Sequence, residues 1–225
     1  MEANLNKKLS KREILRKKRI EEKRRRTKMV ILITLAVLAL IAIVILLPNL
    51  ISRRSGTGDG RGFSLGKPNA PVSVVNFSNY NCVFCAEFSA TTERVLISNY
   101  VETGDVYYRY VNLAHNNPES QNAAIASYCA ADQNLFFDFK TSLYEAAGRQ
   151  DGFSTSNLVN LAAEVGLDRS VFEACLEGGT HNNAPALDLR YAQSLGVTGT
   201  PTFLINGQFV SSQEVIPLID TLLER

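Results

Sequence analysis

Cysteine and histidine are scarce in this sequence, which has four cysteines and two histidines among 225 residues. Two of the cysteines, Cys82 and Cys85, are three positions apart. We expect the other candidate metal ligands to be isolated from one another: His115, Cys129, Cys175 and His181. A zinc site needs a second close pair of Cys or His ligands. This scarcity argues against a metal centre, and we expect neither a metal nor another cofactor.

Charged side chains are absent from residues 29–47, an apolar run of 19 residues that ends at Pro48. A helix of this length, at about 1.5 Å per residue, crosses roughly 30 Å of hydrocarbon. The long basic lead, the long apolar run and the lack of an A-x-A-like cleavage site disfavour a cleaved secretory signal. Residues 29–47 are therefore predicted to form an uncleaved, single-pass transmembrane signal anchor.

Basic residues dominate residues 1–28, which hold 13 Lys/Arg against 4 Asp/Glu, whereas the rest of the chain holds 11 against 18. Nucleic-acid binding is one interpretation of such a tract, but the apolar run directly after it favours a topogenic flank. We therefore expect no nucleic-acid partner. The Lys/Arg excess predicts that residues 1–28 lie in the cytoplasm and that the chain after Pro48 lies outside the cell membrane, which we expect to be bacterial. Residues 48–62, with glycine at 56, 58, 60 and 62, are predicted to be a flexible linker, and residues 63–225 the folded domain.

Residues 71–88, PVSVVNFSNYNCVFCAEF, combine an apolar strand pattern, a turn and a helical pattern that opens on two cysteines. Asn81 is the predicted helix cap. Cys82 then falls in the first turn, where unpaired backbone N–H groups and the helix dipole stabilise a thiolate.

The spacing of the two cysteines indicates different roles for them. Residues three apart are neighbours on a helix, and Cys85 shares a predicted face with Phe88, Val95 and Leu96. Cys85 is therefore expected to be the more buried thiol. This pattern predicts a redox site in which Cys82 forms a mixed disulfide with substrate and Cys85 resolves it.

Periodicity in the rest of the chain predicts strand, helix, strand, helical block, hairpin and helix, in that order. The active-site helix covers about residues 82–103 and the second strand 106–113. An Asn206-Gly207 turn predicts the hairpin between 202–205 and 208–210. The closing helix is placed at 211–225, and Pro217 is the one residue in this range that disfavours a helix interior. Five helices are predicted between them, at 118–132, 135–147, 156–165, 170–177 and 184–195.

Over about residues 63–225 the sequence resembles the DsbA-like thiol-disulfide oxidoreductases. The resemblance implies an α/β, thioredoxin-like fold with an inserted all-helical subdomain at about 116–195. The resemblance rests on four segments: GKPNAPV at 66–72, NCVFCA at 81–86, residues 123–130, and LGVTGTPTF at 195–203.

The resemblance also assigns further residues and partners. It implies a cis peptide bond between Thr200 and Pro201, facing the cysteines and leaving the Thr200 backbone open to an extended substrate. Some members have a disulfide where Cys129 and Cys175 lie, and leftover cysteines outside the cell usually pair. Free buried thiols and an electron-relay role are the alternatives for this second pair. The implied partners are exported proteins with thiols and a membrane protein, linked to quinone, that recycles the dithiol.

Two positions depart from the family pattern. Asn76 stands where members often carry a buried acid, and it cannot relay a proton. Val83-Phe84 stands where strongly oxidising members have a histidine, which predicts a milder oxidant.

The leading hypothesis is a membrane-tethered enzyme that transfers a disulfide from Cys82-Cys85 to exported proteins. A disulfide reductase or isomerase is the second interpretation, because reduction potential and partner set the direction of exchange. A third is a non-catalytic thioredoxin-fold binding or assembly module whose two cysteines are vestigial or bind a metal.

Overall fold

The computed structural model describes residues 19, 24–26, 28–29, 31–35, 62–114 and 117–224. The chain divides into two units, Met1–Ile51 and Ser52–Arg225. The described residues of the first unit are helical. Within the described part of the chain, no helix is both long enough and apolar enough to cross a membrane. Residues 36–47 of the predicted anchor and 48–61 of the predicted linker lie outside the described residues, as does most of the predicted cytoplasmic segment.

Among the described residues of the second unit, five strands form one mixed sheet in the order β1-β3-β2-β4-β5. The central strand β2 is parallel to β3 and antiparallel to β4. β1 pairs with β3 and β5 with β4, both antiparallel. The bounds are β1 Phe63–Leu65, β2 Val72–Ser78, β3 Val106–Asn112, β4 Thr202–Ile205 and β5 Gln208–Val210.

Five helices separate β3 from β4, so the predicted helical insertion and the thioredoxin-like α/β fold are confirmed. Two helices, α1 and α2, precede β3, and α8 follows β5. The bounds are α1 Val83–Ala90, α2 Thr92–Leu96, α3 Pro118–Asp132, α4 Phe136–Ala146, α5 Thr155–Glu164, α6 Arg169–Glu177, α7 Ala184–Ser194 and α8 Val215–Leu222.

The helix predicted at residues 82–103 is broken, and the closing helix starts later than predicted. Thr91 has φ −119° and ψ −84°, which ends α1, and a π-helical segment, Ile97–Val101, continues α2. At the other end, a 3₁₀ turn with a capping box between Ser211 and Glu214 precedes α8. Pro217 then lies in the first turn of α8, where a missing N–H costs no helical hydrogen bond.

Strand β2 is buried on both faces, as its apolar run predicts. Val74 belongs to the main hydrophobic core together with Phe88 of α1. Val75 points to the opposite face, where a second cluster includes Ala192 of α7. The Phe88 ring packs on Phe203 of β4 with 4.3 Å between centroids, which fixes α1 against the sheet.

Candidate active site

Asn79 fixes the turn between β2 and α1. Its side-chain oxygen accepts from the Asn81 backbone N–H at 2.8 Å and from the Ser120 hydroxyl at 3.1 Å. Its side-chain nitrogen donates to the Leu113 carbonyl at 2.6 Å. The turn that carries the first cysteine is therefore tied both to the end of β3 and to α3 of the insertion.

Cys82, and not Asn81, caps helix α1, so the predicted cap was wrong. The Cys82 sulfur accepts from the Cys85 backbone N–H at 3.4 Å. Asn81 instead donates its side-chain amide to the Ser120 hydroxyl at 3.2 Å. A sulfur in the capping position faces the unpaired N–H groups and the positive end of the helix dipole.

The two thiols differ in exposure. Both Cys82 and Cys85 are free; Cys82 is half-buried and Cys85 is buried. Burial raises the pKa of Cys85 to about 12, and its hydrogen bond with Cys82 adds to the rise. Cys82 is therefore the sulfur that a large substrate can approach, while Cys85 lies behind it.

Thr200 and Pro201 lie beside this pair, although they are far away in the sequence. The Cys82 thiol donates to the Thr200 carbonyl at 3.4 Å. The Thr200–Pro201 peptide bond is cis. The structure thus brings together the two cysteines and the proline turn that the resemblance assigns to the site.

The two residues between the cysteines face solvent. Val83 is 77% exposed and Phe84 69%. On the other side of the helix, Phe88 is buried beside Cys85, but Val95 is 43% exposed. The prediction that Val95 shares the buried face was wrong, because the break at Thr91 changes the helical phase between α1 and α2.

A network of buried polar groups lies beside β2, and it begins at Asn76. The Asn76 side-chain amide donates to the Tyr108 hydroxyl at 2.8 Å, and that hydroxyl donates to Glu93. Glu93 pairs with Lys140, and both side chains are almost fully buried. Lys140 also donates to the Ser89 hydroxyl at 2.7 Å.

Sequence reasoning missed this buried ion pair. Lys140 belongs to α4, whose buried positions include Phe136, Phe139 and Leu143. A lysine four residues after one buried phenylalanine and three before a buried leucine lies on the apolar stripe of the helix. That position was the available signal, but it does not name Glu93 as the partner.

Cys129 and Cys175 form a disulfide between α3 and α6, with 5.8 Å between their Cα atoms. Beside it, His181 hydrogen-bonds the Asp132 carboxylate at 2.7 Å. The expectation that the candidate metal ligands are isolated from one another was wrong for Cys175 and His181, because His181 lies in the turn after α6 and reaches the end of α3. The possible ligand atoms of Asp132, Cys175 and His181 lie within 4.8 Å of one another. Since the Cys175 sulfur is bonded to Cys129, two free ligands remain, fewer than the four of a structural zinc site. His115 lies outside the described residues.

A mixed sheet with a helical insertion, two cysteines at a helix start and a facing cis-proline define a thioredoxin-fold dithiol protein. The family model described as Thioredoxin (Thioredoxin_4) matches residues 59–224. The chain therefore belongs to this thioredoxin family, and the resemblance seen in the sequence is confirmed at that level.

Similar proteins differ in how much of their length this chain spans. Disulfide bond formation protein D of Bacillus subtilis (strain 168) is 27% identical over 153 residues, 66% of this chain and 69% of that protein. The Na(+)/H(+) antiporter NhaA 3 of Salinispora tropica is 29% identical over 143 residues, 64% of this chain but 21% of the antiporter. The crystal structure of oxidised BdbD from Bacillus subtilis has a TM-score of 0.67 and 24% identity, with coverage of 76% of this chain and 97% of that chain.

Proposed function

We propose that this chain is a dithiol-disulfide oxidoreductase that works through Cys82 and Cys85. The observation that carries the proposal is the pairing of a half-buried thiol at a helix cap with a buried thiol one turn later. The likeness to a disulfide bond formation protein supports the same chemistry.

In the oxidising direction, a substrate thiolate attacks Cys82 of the Cys82-Cys85 disulfide. The bond between the two cysteines breaks, Cys85 leaves with the electron pair as a thiolate, and Cys82 becomes joined to the substrate. A second substrate thiolate then attacks the substrate sulfur of this mixed disulfide and releases Cys82. The substrate has lost two electrons, and the enzyme holds them as the Cys82/Cys85 dithiol.

The substrates proposed are exported proteins with free thiols, bound as extended segments beside Thr200 and Pro201. A membrane redox protein, linked to quinone, would take the two electrons from the reduced enzyme. We further propose that residues 29–47 anchor the chain in the cell membrane and that residues 48–62 tether the catalytic domain on the outer side. The charge-free run and its basic flank support this topology.

The opposite direction is the second candidate function. Val83 and Phe84 offer no side-chain hydrogen-bond donor at the helix start, which favours a milder oxidant, or a reductase or isomerase. Equilibration with glutathione distinguishes these directions. A reduction potential of about −270 mV indicates a reductant, and a reduction potential of about −120 mV indicates an oxidant.

Single-cysteine variants test the proposed function. The oxidised wild type should introduce a disulfide into a peptide with two thiols, whereas Cys82→Ser should lose this activity. In the opposite direction, reduced Cys85→Ser should accumulate a mixed disulfide with the oxidised peptide, because Cys82 attacks the peptide disulfide and no Cys85 thiol is present to resolve the adduct; mass spectrometry detects it. A Cys129→Ala/Cys175→Ala variant is the control and should still exchange. If the Cys82→Ser protein were as active as the wild type, the protein would not act through the Cys82/Cys85 pair.

A further inference from the structure

The turn between β2 and α1, residues 79–81, leads directly into Cys82 and contacts the helical insertion. Its first and last residues, Asn79 and Asn81, both hydrogen-bond the hydroxyl of Ser120, in the first turn of α3. We propose that Ser120 is a positioning residue for Cys82, and that it acts by holding this turn in place during disulfide exchange. The inference rests on the proposed exchange function and assigns to it a residue outside the C-x-x-C motif.

The Ser120 hydroxyl makes one hydrogen bond as a donor and one as an acceptor. It donates to the Asn79 side-chain oxygen at 3.1 Å and accepts from the Asn81 side-chain nitrogen at 3.2 Å. The same Asn79 oxygen accepts from the Asn81 backbone N–H at 2.8 Å. A serine hydroxyl can fill both roles because it has one proton and two lone pairs. The three side chains therefore form a closed set of hydrogen bonds between the turn and α3.

Ser120 is itself held firmly at the start of α3. Its side chain belongs to a residue that is only 1% exposed, so bulk water does not replace the hydroxyl. The Asn117 side chain caps this helix and accepts from the backbone N–H groups of Glu119 at 2.9 Å and Ser120 at 3.3 Å. A group on a capped, buried helical turn can fix a loop more precisely than another loop can.

The middle residue of the turn, Tyr80, is held by aromatic packing. It is 1% exposed, and its ring centroid lies 5.2 Å from that of Tyr144 in α4 and 6.5 Å from that of Phe153, between α4 and α5. The Tyr110 ring of β3 lies 6.0 Å away. The insertion therefore contacts all three residues of the turn, through hydrogen bonds at both ends and rings in the middle.

Cys82 receives this restraint through its backbone. Its N–H donates to the Asn79 carbonyl at 3.1 Å, and its carbonyl accepts from the Ala86 N–H at 3.0 Å. Its sulfur lies 3.4 Å from both the Cys85 backbone nitrogen and the Thr200 carbonyl oxygen. A displacement of about 1 Å in a reacting group can slow a reaction about 100-fold. A looser turn would move the sulfur relative to its contacts, and exchange should then be slower.

The test measures exchange between glutathione and the full-length protein in both directions. Reduced glutathione reduces the oxidised protein, and oxidised glutathione oxidises the reduced protein. Ser120→Ala should lower both rate constants about fivefold, because the turn loses two hydrogen bonds. The equilibrium constant should stay at the wild-type value, since the position of Cys82 affects both directions equally.

Asn81→Ala tests the same contact from the other side. Asn81 is exposed, so its replacement leaves the core unchanged, and it removes one of the two hydrogen bonds of Ser120. Both rate constants should fall about twofold. The Asn81→Ala/Ser120→Ala double variant should match Ser120→Ala alone, because that substitution has already broken the bond to Asn81.

Ser127→Ala is the matched control. Ser127 is a buried serine two turns further along α3, and its hydroxyl accepts from the Asn112 side chain at 3.1 Å. Its replacement removes the same group from the same helix without touching the turn, so its rate constants should equal those of the wild type. An effect on exchange that is specific to Ser120 therefore separates positioning from a general structural change.

Three results would overturn the inference while exchange itself persisted. They are wild-type rate constants in Ser120→Ala or Asn81→Ala, equal slowing in Ser127→Ala, and a changed equilibrium constant. In the last case Ser120 would act on the relative stability of the dithiol and the disulfide, and not on the position of Cys82. A wild-type protein that does not exchange with glutathione would instead overturn the proposed function, and the inference with it.

Discussion

Asp188 carries a carboxyl group that is fully buried between α7 and α3. One of its oxygens accepts from the Tyr128 hydroxyl at 2.8 Å and from the Asn112 backbone N–H at 3.2 Å. Burial raises the pKa of Asp188 to about 7, although both hydrogen bonds act to lower it. The folded protein therefore keeps a proton on this group at pH values where the unfolded chain has lost it.

This raised pKa predicts an unusual pH dependence of stability. Between about pH 4 and pH 7 the folded state holds one more proton than the unfolded state, so the free energy of unfolding falls as pH rises through that window. Asp188→Asn stays neutral and should remove this fall, leaving the variant more stable than the wild type by a few kcal/mol at pH 8. Urea unfolding at pH 4 and pH 8 measures the effect.

Asp138→Asn is the matched control for this prediction. Asp138 is exposed on α4, and its replacement should leave the fall between pH 4 and pH 7 in place. An Asp188→Asn protein with the same slope as the wild type would contradict the assignment.

Helices α3 and α6 are joined covalently as well as by packing. The Cys129–Cys175 disulfide closes a separation of 46 residues, and Cys129 itself is buried in the main core. The adjoining Asp132 and His181 are satisfied by each other. These contacts favour a structural role for the second cysteine pair.

Removing the disulfide should therefore lower stability without removing activity. A Cys129→Ala/Cys175→Ala variant should lose about 2 to 5 kcal/mol of unfolding free energy, because the unfolded chain is no longer cross-linked. Urea denaturation measures the loss, and glutathione exchange at Cys82 should continue. Reducing the wild type is not an equivalent experiment, since it also opens the Cys82-Cys85 couple. Unchanged stability with lost exchange would instead support an electron-relay role.

The fold has two parts: the sheet with the helices that flank it, and the helical insertion. A buried ion pair joins them. Glu93 belongs to α2, before β3, and Lys140 to α4 of the insertion. The Glu93 and Lys140 side chains are only 2% and 3% exposed. Removal of one partner leaves a charge buried with no counter-charge, which is more costly than removal of both.

A pair of variants tests this junction. Lys140→Met should lower the free energy of unfolding by about 3 to 5 kcal/mol at neutral pH, because Glu93 loses its cation. The Glu93→Gln/Lys140→Met double variant should be more stable than Lys140→Met, since the unpaired charge is gone. Arg169→Met is the control: it breaks an exposed pair with Glu173, and should cost less than about 1 kcal/mol. A double variant less stable than the single one would contradict this account.

Local patterns predicted most elements, and the failures have local causes. Strand β1 was missed because three residues, Phe63–Leu65, are too few to show a period, and its pairing with β3 defines it. The break at Thr91 was missed because residues 82–103 continue to favour a helix on both sides of it. In contrast, the hairpin at Asn206-Gly207 forms as predicted, with both residues at positive φ.

The sequence by itself determined the strand, turn and cysteine helix, the helical insertion and the hairpin, because each has a periodic or turn pattern within a few neighbouring residues. Only the tertiary structure decided which buried polar groups meet one another. Ser78 and Tyr144 are 66 positions apart, and Glu93 and Lys140 are 47 apart. Buried polar groups select partners by proximity after the helices and sheet have packed, and that selection leaves no periodic trace in the chain.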